Sequence, residues 1–128
     1  MSFLLDTCTF LWVTLKPEKL SDAFLDCFRN PVNTIFLSSV TAWEIGIKCN
    51  IGKLNLPAAP SLFIPEQRED HHITELELSS VDTFHLETLP LIHKDPFDRM
   101  LVCQAIQRSL TILTPDPLIR QYPIRTLW

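Results

Sequence analysis

The sequence predicts an α/β fold built on a mostly parallel sheet. Three observations lead there. Short apolar runs alternate with segments of helical period. Most of those segments open on a capping residue. No internal repeat or low-complexity tract interrupts the alternation. At 128 residues the chain has the length of one domain, read as 1–128. A chain of this size buries roughly two-thirds of its unfolded surface, so the fold needs no disulfide or structural metal.

Ser2–Asp6 is an apolar run ending in an acid, as expected of a buried parallel strand. Thr7–Leu15 stays apolar at Phe10, Leu11 and Leu15 and stops before Pro17, which suits a helix. Ser21–Asn30 places Phe24, Leu25 and Phe28 on one helical face, with Ser21 as cap and Pro31 as terminator. Thr34–Ser38 is a second strand. Val40–Asn50 is an amphipathic helix with Trp43, Ile47 and Ile51 on its apolar face and Gly52 at its end. Pro57, Pro60 and Pro65 make Leu54–Pro65 a loop with room for one short helix. Ile73–Leu78 alternates loosely and reads as a weak strand. Ser79–Leu89 is a helix capped by Ser79 or Ser80, with Phe84 and the nearby Leu91 turned inward. Asp95 and Pro96 stand at the cap and first position of the clearest helix, Pro96–Ser109. Leu110–Thr114 and Ile124–Leu127 complete the strands.

Composition narrows the function. Hydrophobic residues make up 46% and charged residues 20%, which excludes a disordered chain. Two glycines, Gly46 and Gly52, cannot build either glycine-rich phosphate loop. No apolar run is long enough to span a membrane, and no basic signal region opens the chain, so a cytoplasmic location is expected. Cys8, Cys27, Cys49 and Cys103 lack metal-site spacing and read as small buried hydrophobes. The net charge of −4 argues against strong nonspecific binding to nucleic acid. That charge is uneven: residues 1–93 carry −6 and residues 94–128 carry +2. The acids from Glu66 to Glu77 read as a solvated surface segment.

Four acids fall where parallel α/β sheets bind ligands, beyond the carboxyl ends of strands. Asp6 ends the first strand. Glu44 lies in the first turn of the helix after the second. Asp98 is in the first turn of the Pro96 helix, and Asp116 comes just after the Leu110–Thr114 strand. Each has an ordinary structural role available: Asp6 as a helix cap, Thr41 and Glu44 as a capping box, Asp98 on a helix dipole, and Asp116 as a turn residue. Together they would repel one another, so near pH 7 they must take up protons or a cation. A hard divalent ion satisfies carboxylates, and the chemistry that fits is hydrolysis of a phosphodiester. With no His or Lys in an evident fixed place, the carboxylates themselves are expected to ligate and to orient water.

Four blocks then resemble the PIN-domain ribonucleases, most closely the VapC-type toxins of bacterial toxin–antitoxin pairs. They are Leu4-Leu5-Asp6-Thr7, Ser38-Ser39-Val40-Thr41-Ala42-Trp43-Glu44-Ile45, His93-Lys94-Asp95-Pro96-Phe97-Asp98-Arg99-Met100-Leu101, and Leu113-Thr114-Pro115-Asp116. The resemblance implies a PIN-like α/β/α sandwich around a mostly parallel sheet of about five strands. It implies Mg²⁺-dependent cleavage of RNA, with Mn²⁺ as the alternative ion, inhibition by a cognate antitoxin, and a homodimer. Asp6, Glu44 and Asp98 match the metal-binding acids and Asp116 a fourth, more variable one. Thr7 matches a hydroxyl that supports the first acid or its metal waters. Asp95 is taken as a helix cap and Arg99 as a contact to phosphate or carboxylate. Cys8 stands where close relatives often have His. Pro115 and Pro117 bracket Asp116 in a way that could carry it off the site.

Lys48 and Lys53 are placed to meet RNA phosphates, against the ordinary reading as exposed lysines. Arg108, Arg120 and Arg125 could give the basic C-terminal portion a nucleic-acid face, or simply be solvated. His93 is the one histidine close to the acids, either a surface residue or a substrate contact. The alternative function is a PIN fold that binds RNA or an antitoxin without cutting. A dehalogenase-type phosphatase is disfavoured because Cys8 stands where its second Asp should be.

Overall fold

The computed structural model describes residues 1–128. The strands β1 (Ser2–Leu5), β2 (Thr34–Ser38), β3 (Thr74–Leu76), β4 (Thr111–Leu113) and β5 (Thr126–Leu127) form one sheet in the order β3-β2-β1-β4-β5. Every neighbouring pair is parallel. The order runs one way from β1 to β3 and the other way from β1 to β5. The reversal between β1 and β4 opens the crevice where such sheets take ligands.

Helices α1 (Thr7–Leu15), α2 (Asp22–Arg29), α3 (Ser39–Asn50), α4 (Pro60–Asp70), α5 (Ser80–Thr83) and α6 (Pro96–Arg108) cover the sheet. Side-chain alternation along the strands divides the core in two. Phe3 and Leu5 of β1, Ile35 and Leu37 of β2 and Leu113 of β4 pack with Phe10, Phe24, Ile45, Phe63 and Ile64. Leu4 and Ile112 point the other way and pack with Leu101, Val102, Cys103 and Ala105 of α6 and with Ile119 and Tyr122. The accessible surface is 7179 Å², close to the roughly 7,000 Å² expected of one folded unit of this mass. No helix is long and apolar enough to cross a membrane.

Several expectations are corrected. The proline-rich stretch is loop over residues 54–59, as read, but its helix is longer than expected: α4 runs from Pro60 through Pro65 to Asp70. Pro60 fits the first turn, where its missing N–H is no loss. Pro65 removes an internal bond, and burial of Phe63 and Ile64 outweighs that. The acids from Glu66 to Glu77 are solvated, as read, and Glu66, Glu69 and Asp70 lie on the last two turns of this helix. The segment after Ser79 is one turn of α5 and then a 3₁₀ turn, Phe84–Glu87, not a continuous helix. Ser79 caps it, and the Asp82 carboxylate reaches back to the Ser79 amide at 2.9 Å. Phe84 and Leu91 face outward, at 60% and 90% exposure. Trp43, Ile47 and Ile51 are also exposed, because α3 buries Val40, Thr41, Glu44 and Ile45 instead. Of the cysteines only Cys103 is buried, and Cys8 is exposed. Gly52 ends α3 at φ +76°, as its position suggested.

Leu101 of α6 is fully buried, whereas Leu62 is 65% exposed. Leu101→Ala should lower stability by about 2–5 kcal/mol, and Leu62→Ala by no more than about 0.5 kcal/mol. Urea unfolding with an unchanged m-value measures both. Equal losses would show that the two-layer core is wrongly drawn.

Candidate metal centre

Chain exits from the sheet bring the acids together. Asp6 comes directly after β1, Glu44 is carried by α3 after β2, Asp98 by the first turn of α6, and Asp116 by the turn after β4. All four line one cavity of about 510 Å³, with Asp95, Thr7, Cys8 and Lys48 also in its wall. Pro115 and Pro117 flank Asp116 without displacing it from that wall.

Each acid is held by local chemistry. Asp6 is the N-cap of α1, where Oδ1 accepts from the Thr9 amide at 2.7 Å. Its Oδ2 accepts from the Thr114 hydroxyl. That hydroxyl in turn accepts from the Asp116 amide at 3.0 Å, so one side chain ties the first acid to the fourth. Glu44 is buried in the second turn of α3, beyond the reach of a cap, because Ser38 is the N-cap. Thr41 is therefore not a capping residue. Glu44 Oε1 accepts from Thr7 Oγ1 at 2.7 Å, and Oε2 pairs with Lys48 Nζ. Asp95 caps α6 through Oδ1, which accepts from the Phe97 and Asp98 amides. Asp116 Oδ1 accepts from the Leu118 amide at 2.8 Å and so closes its own turn.

Thr7 thus bonds the second acid, whereas the resemblance implied support of the first acid or of its metal waters. Arg99 meets neither a carboxylate nor the cavity: its Nη1 donates to the Pro90 carbonyl at 2.9 Å and to Tyr122 Oη at 3.2 Å. Lys48 is turned inward against Glu44, which takes it out of the class of free surface lysines. Arg108 ends α6 far along the helix from Asp98 and pairs with buried Asp82 at 3.5 Å. The expectation of no fixed His or Lys also fails. Besides Lys48, His93 Nε2 lies 3.1 Å from Asp98 Oδ2 and 3.2 Å from Asp116 Oδ2. Sequence reasoning gave Thr114 and Tyr122 no role. A hydroxyl directly after the β4 strand, beside Asp116, was the signal for Thr114. Nothing local marks Tyr122.

Burial and mutual repulsion set the electrostatics. Asp98 is pushed up to about 7, first by burial and then by the charges of Asp95, Asp6 and Glu44, with His93 opposing. Burial also raises Asp6, against hydrogen bonds from Thr114 and Thr9 that lower it. The Glu44 hydrogen bond raises Lys48. Burial, then the Asp6 charge, drives the Cys8 thiol to about 11, so it is no nucleophile at neutral pH. The donor set is carboxylate oxygen with a single lysine in the wall. It fits a hard divalent cation, whose charge would replace the proton that Asp98 otherwise retains.

Comparison with known proteins agrees with this architecture. A family model described as the PIN domain matches residues 3–124. Among solved structures, VapBC2 from Rickettsia felis bound to a DNA fragment from their promoter has a TM-score of 0.66 at 17% identity, covering 99% of this chain and 98% of that one. A domain of a functionally unknown protein from Methanocaldococcus jannaschii DSM 2661 has a TM-score of 0.55 at 16% identity, covering 99% and 89%. At these identities both attest the fold alone. No curated protein matches the chain.

The Asp98 shift has a definite sign. Between pH 3.8 and about 7 the folded chain keeps a proton that the unfolded chain has released. That contribution to stability is complete below pH 3.8 and is lost as pH rises to about 7. A cation must displace the same proton, so its apparent affinity should rise by up to about tenfold per pH unit below pH 7 and level off above. Calorimetric titration with Mn²⁺ from about pH 5.5 to about pH 8 measures this. An affinity flat across that range would refute the assignment of the raised carboxyl.

Proposed function

The chain belongs to the PIN domain family, and on that premise we propose that it is a Mg²⁺-dependent endoribonuclease toxin of the VapC type, held inactive by a cognate antitoxin. The observation that carries this reading is the convergence of Asp6, Glu44, Asp98 and Asp116 on one cavity at the sheet's ligand-binding edge. PIN domains are generally nucleases, and these acids supply what a metal-dependent nuclease requires. The fold shared with VapBC2 supports an antitoxin partner. RNA as substrate and a second copy as partner rest on the sequence resemblance.

When bound, Mg²⁺ or Mn²⁺ supplies a water of lowered pKa and neutralises charge on the phosphate. Asp6, Glu44 and Asp98 would hold the ion, with Asp116 beside them. Thr114 and Thr7 each take up one lone pair of Asp6 and Glu44 and so fix the two carboxylates against rotation. Thr9 and Lys48 take up another on each, and the lone pairs still free are left for the cation and for a water. Lys48 offsets one of the negative charges that would otherwise turn away a phosphodiester.

The test is cleavage of RNA by antitoxin-free protein with Mg²⁺, with Mn²⁺ and with EDTA. Activity should require metal. Asp6→Asn, Glu44→Gln and Asp98→Asn should each lower the rate by at least about a hundredfold. The fold should survive, since Asn still caps α1 and one fewer charge relieves repulsion. Parental rates in all three variants would refute the site. Metal binding with no cleavage of any RNA would favour a PIN fold that only binds RNA or an antitoxin.

A further inference from the structure

His93 sits inside the acidic cluster, with Nε2 3.1 Å from one carboxylate and 3.2 Å from another. Its Nε2, one Asp98 oxygen and one Asp116 oxygen all lie within 4.8 Å of one another, a spacing that a mixed nitrogen–oxygen metal site would also show. The other ring nitrogen decides between the two roles. Nδ1 accepts a hydrogen bond from the Asp95 amide at 3.1 Å. A ring nitrogen that accepts an N–H carries no proton, so the ring proton is on Nε2. Ligation through Nε2 would move that proton to Nδ1 and set it against the Asp95 N–H.

We propose that His93 is a positioning residue: its Nε2–H donates to Asp116 Oδ2 while the same nitrogen lies 3.1 Å from Asp98 Oδ2, so that the ring holds the two carboxylates side by side and is not itself a metal ligand. The proposal rests on reading the acids as a cation site. The donors then remain all oxygen, which selects Mg²⁺ or Mn²⁺ over a nitrogen-preferring ion such as Zn²⁺.

The surroundings hold the ring in this state. The His93 amide donates to Tyr122 Oη at 2.8 Å, and the same oxygen accepts from Arg99. Arg99 also bonds the Pro90 carbonyl. The segment from Pro90 to Asp95 is thereby braced at both ends, and the N-cap of α6 supplies the amide that sets the tautomer. Asp116 Oδ1 is engaged by Leu118, which leaves Oδ2 for His93. Arg99 and Asp95 therefore act on the acids through His93.

Two measurements test this, and neither reads RNA cleavage, so failure of the nuclease reading would leave them valid. The first is long-range ¹H–¹⁵N NMR of the full chain with labelled histidine, without metal and with saturating Mg²⁺. A protonated Nε2 and a bare Nδ1 are expected in both states. A proton on Nδ1, or loss of the Nε2 proton when Mg²⁺ is added, would overturn the proposal. The second is Mn²⁺ titration of two variants. His93→Ala should weaken binding by roughly tenfold to a hundredfold, and His93→Gln, which keeps an N–H donor, should stay within about threefold of the parent. Parental affinity in the Ala variant, or a Gln variant as weak as Ala, would refute the donor role.

Discussion

Repulsion among carboxylates at one end of the sheet is the constraint to which the rest of the structure responds. Asp6, Glu44, Asp95, Asp98 and Asp116 share one cavity wall with a single lysine. Asp6 and Glu44 are almost fully buried, each at 3% exposure, so water cannot screen them as it would on an open surface. Nearly every polar contact nearby offsets this. Thr114, Thr7 and the Thr9 amide donate to the acids, Lys48 pairs with Glu44, and His93 lies between Asp98 and Asp116. Burial first, and then the neighbouring charges, leave Asp98 raised, while Asp6 is raised chiefly by burial.

The parallel topology makes the cluster possible. Every crossover returns the chain to the same edge, so β1, β2 and β4 all release the chain at one end of the sheet. The helices that begin there direct partial positive charge at the acids. Two of the five carboxylates serve as caps as well as members of the cluster: Asp6 for α1 and Asp95 for α6. A single side chain therefore starts a helix and faces the cavity. The amide of Asp95 acts once more, by setting which His93 nitrogen carries the proton. Local helix chemistry and site chemistry are the same set of bonds.

The two apolar layers act as the clamp. Leu4 and Leu5 are adjacent, fully buried and on opposite faces of the sheet. β1 is thereby fixed from both sides just before Asp6. Ile112 and Leu113, also fully buried and on opposite faces, do the same for β4 ahead of Thr114. Removing side chains from either layer would loosen the strand ends and with them the carboxylate spacing. The exposed Trp43 packs edge-on against Phe97 at 4.9 Å, which links α3 to the first turn of α6 and so Glu44 to Asp98.

Much of this was legible along the chain. Apolar strands and most caps obey local rules, so the five strands, the α1, α2, α3 and α6 helices and the parallel α/β class came from sequence, as did the four acids after strands or at helix starts. Local rules failed where packing decided. Pro65 stayed helical because Phe63 and Ile64 are buried, and Trp43, Ile47 and Ile51 face solvent because α3 turns its Glu44 side inward. Which hydroxyl meets which acid, where Arg99 points, and which His93 nitrogen meets the Asp95 amide were settled only in three dimensions. Thr114 and Asp6 are 108 residues apart, and Tyr122 and His93 are 29 apart. The sequence by itself determined the types of residue and the end of the sheet they occupy, because strand period and capping are set by near neighbours. The tertiary structure alone decided their pairings, because a hydrogen bond depends on distances of a few ångströms that only the packed sheet and helices impose.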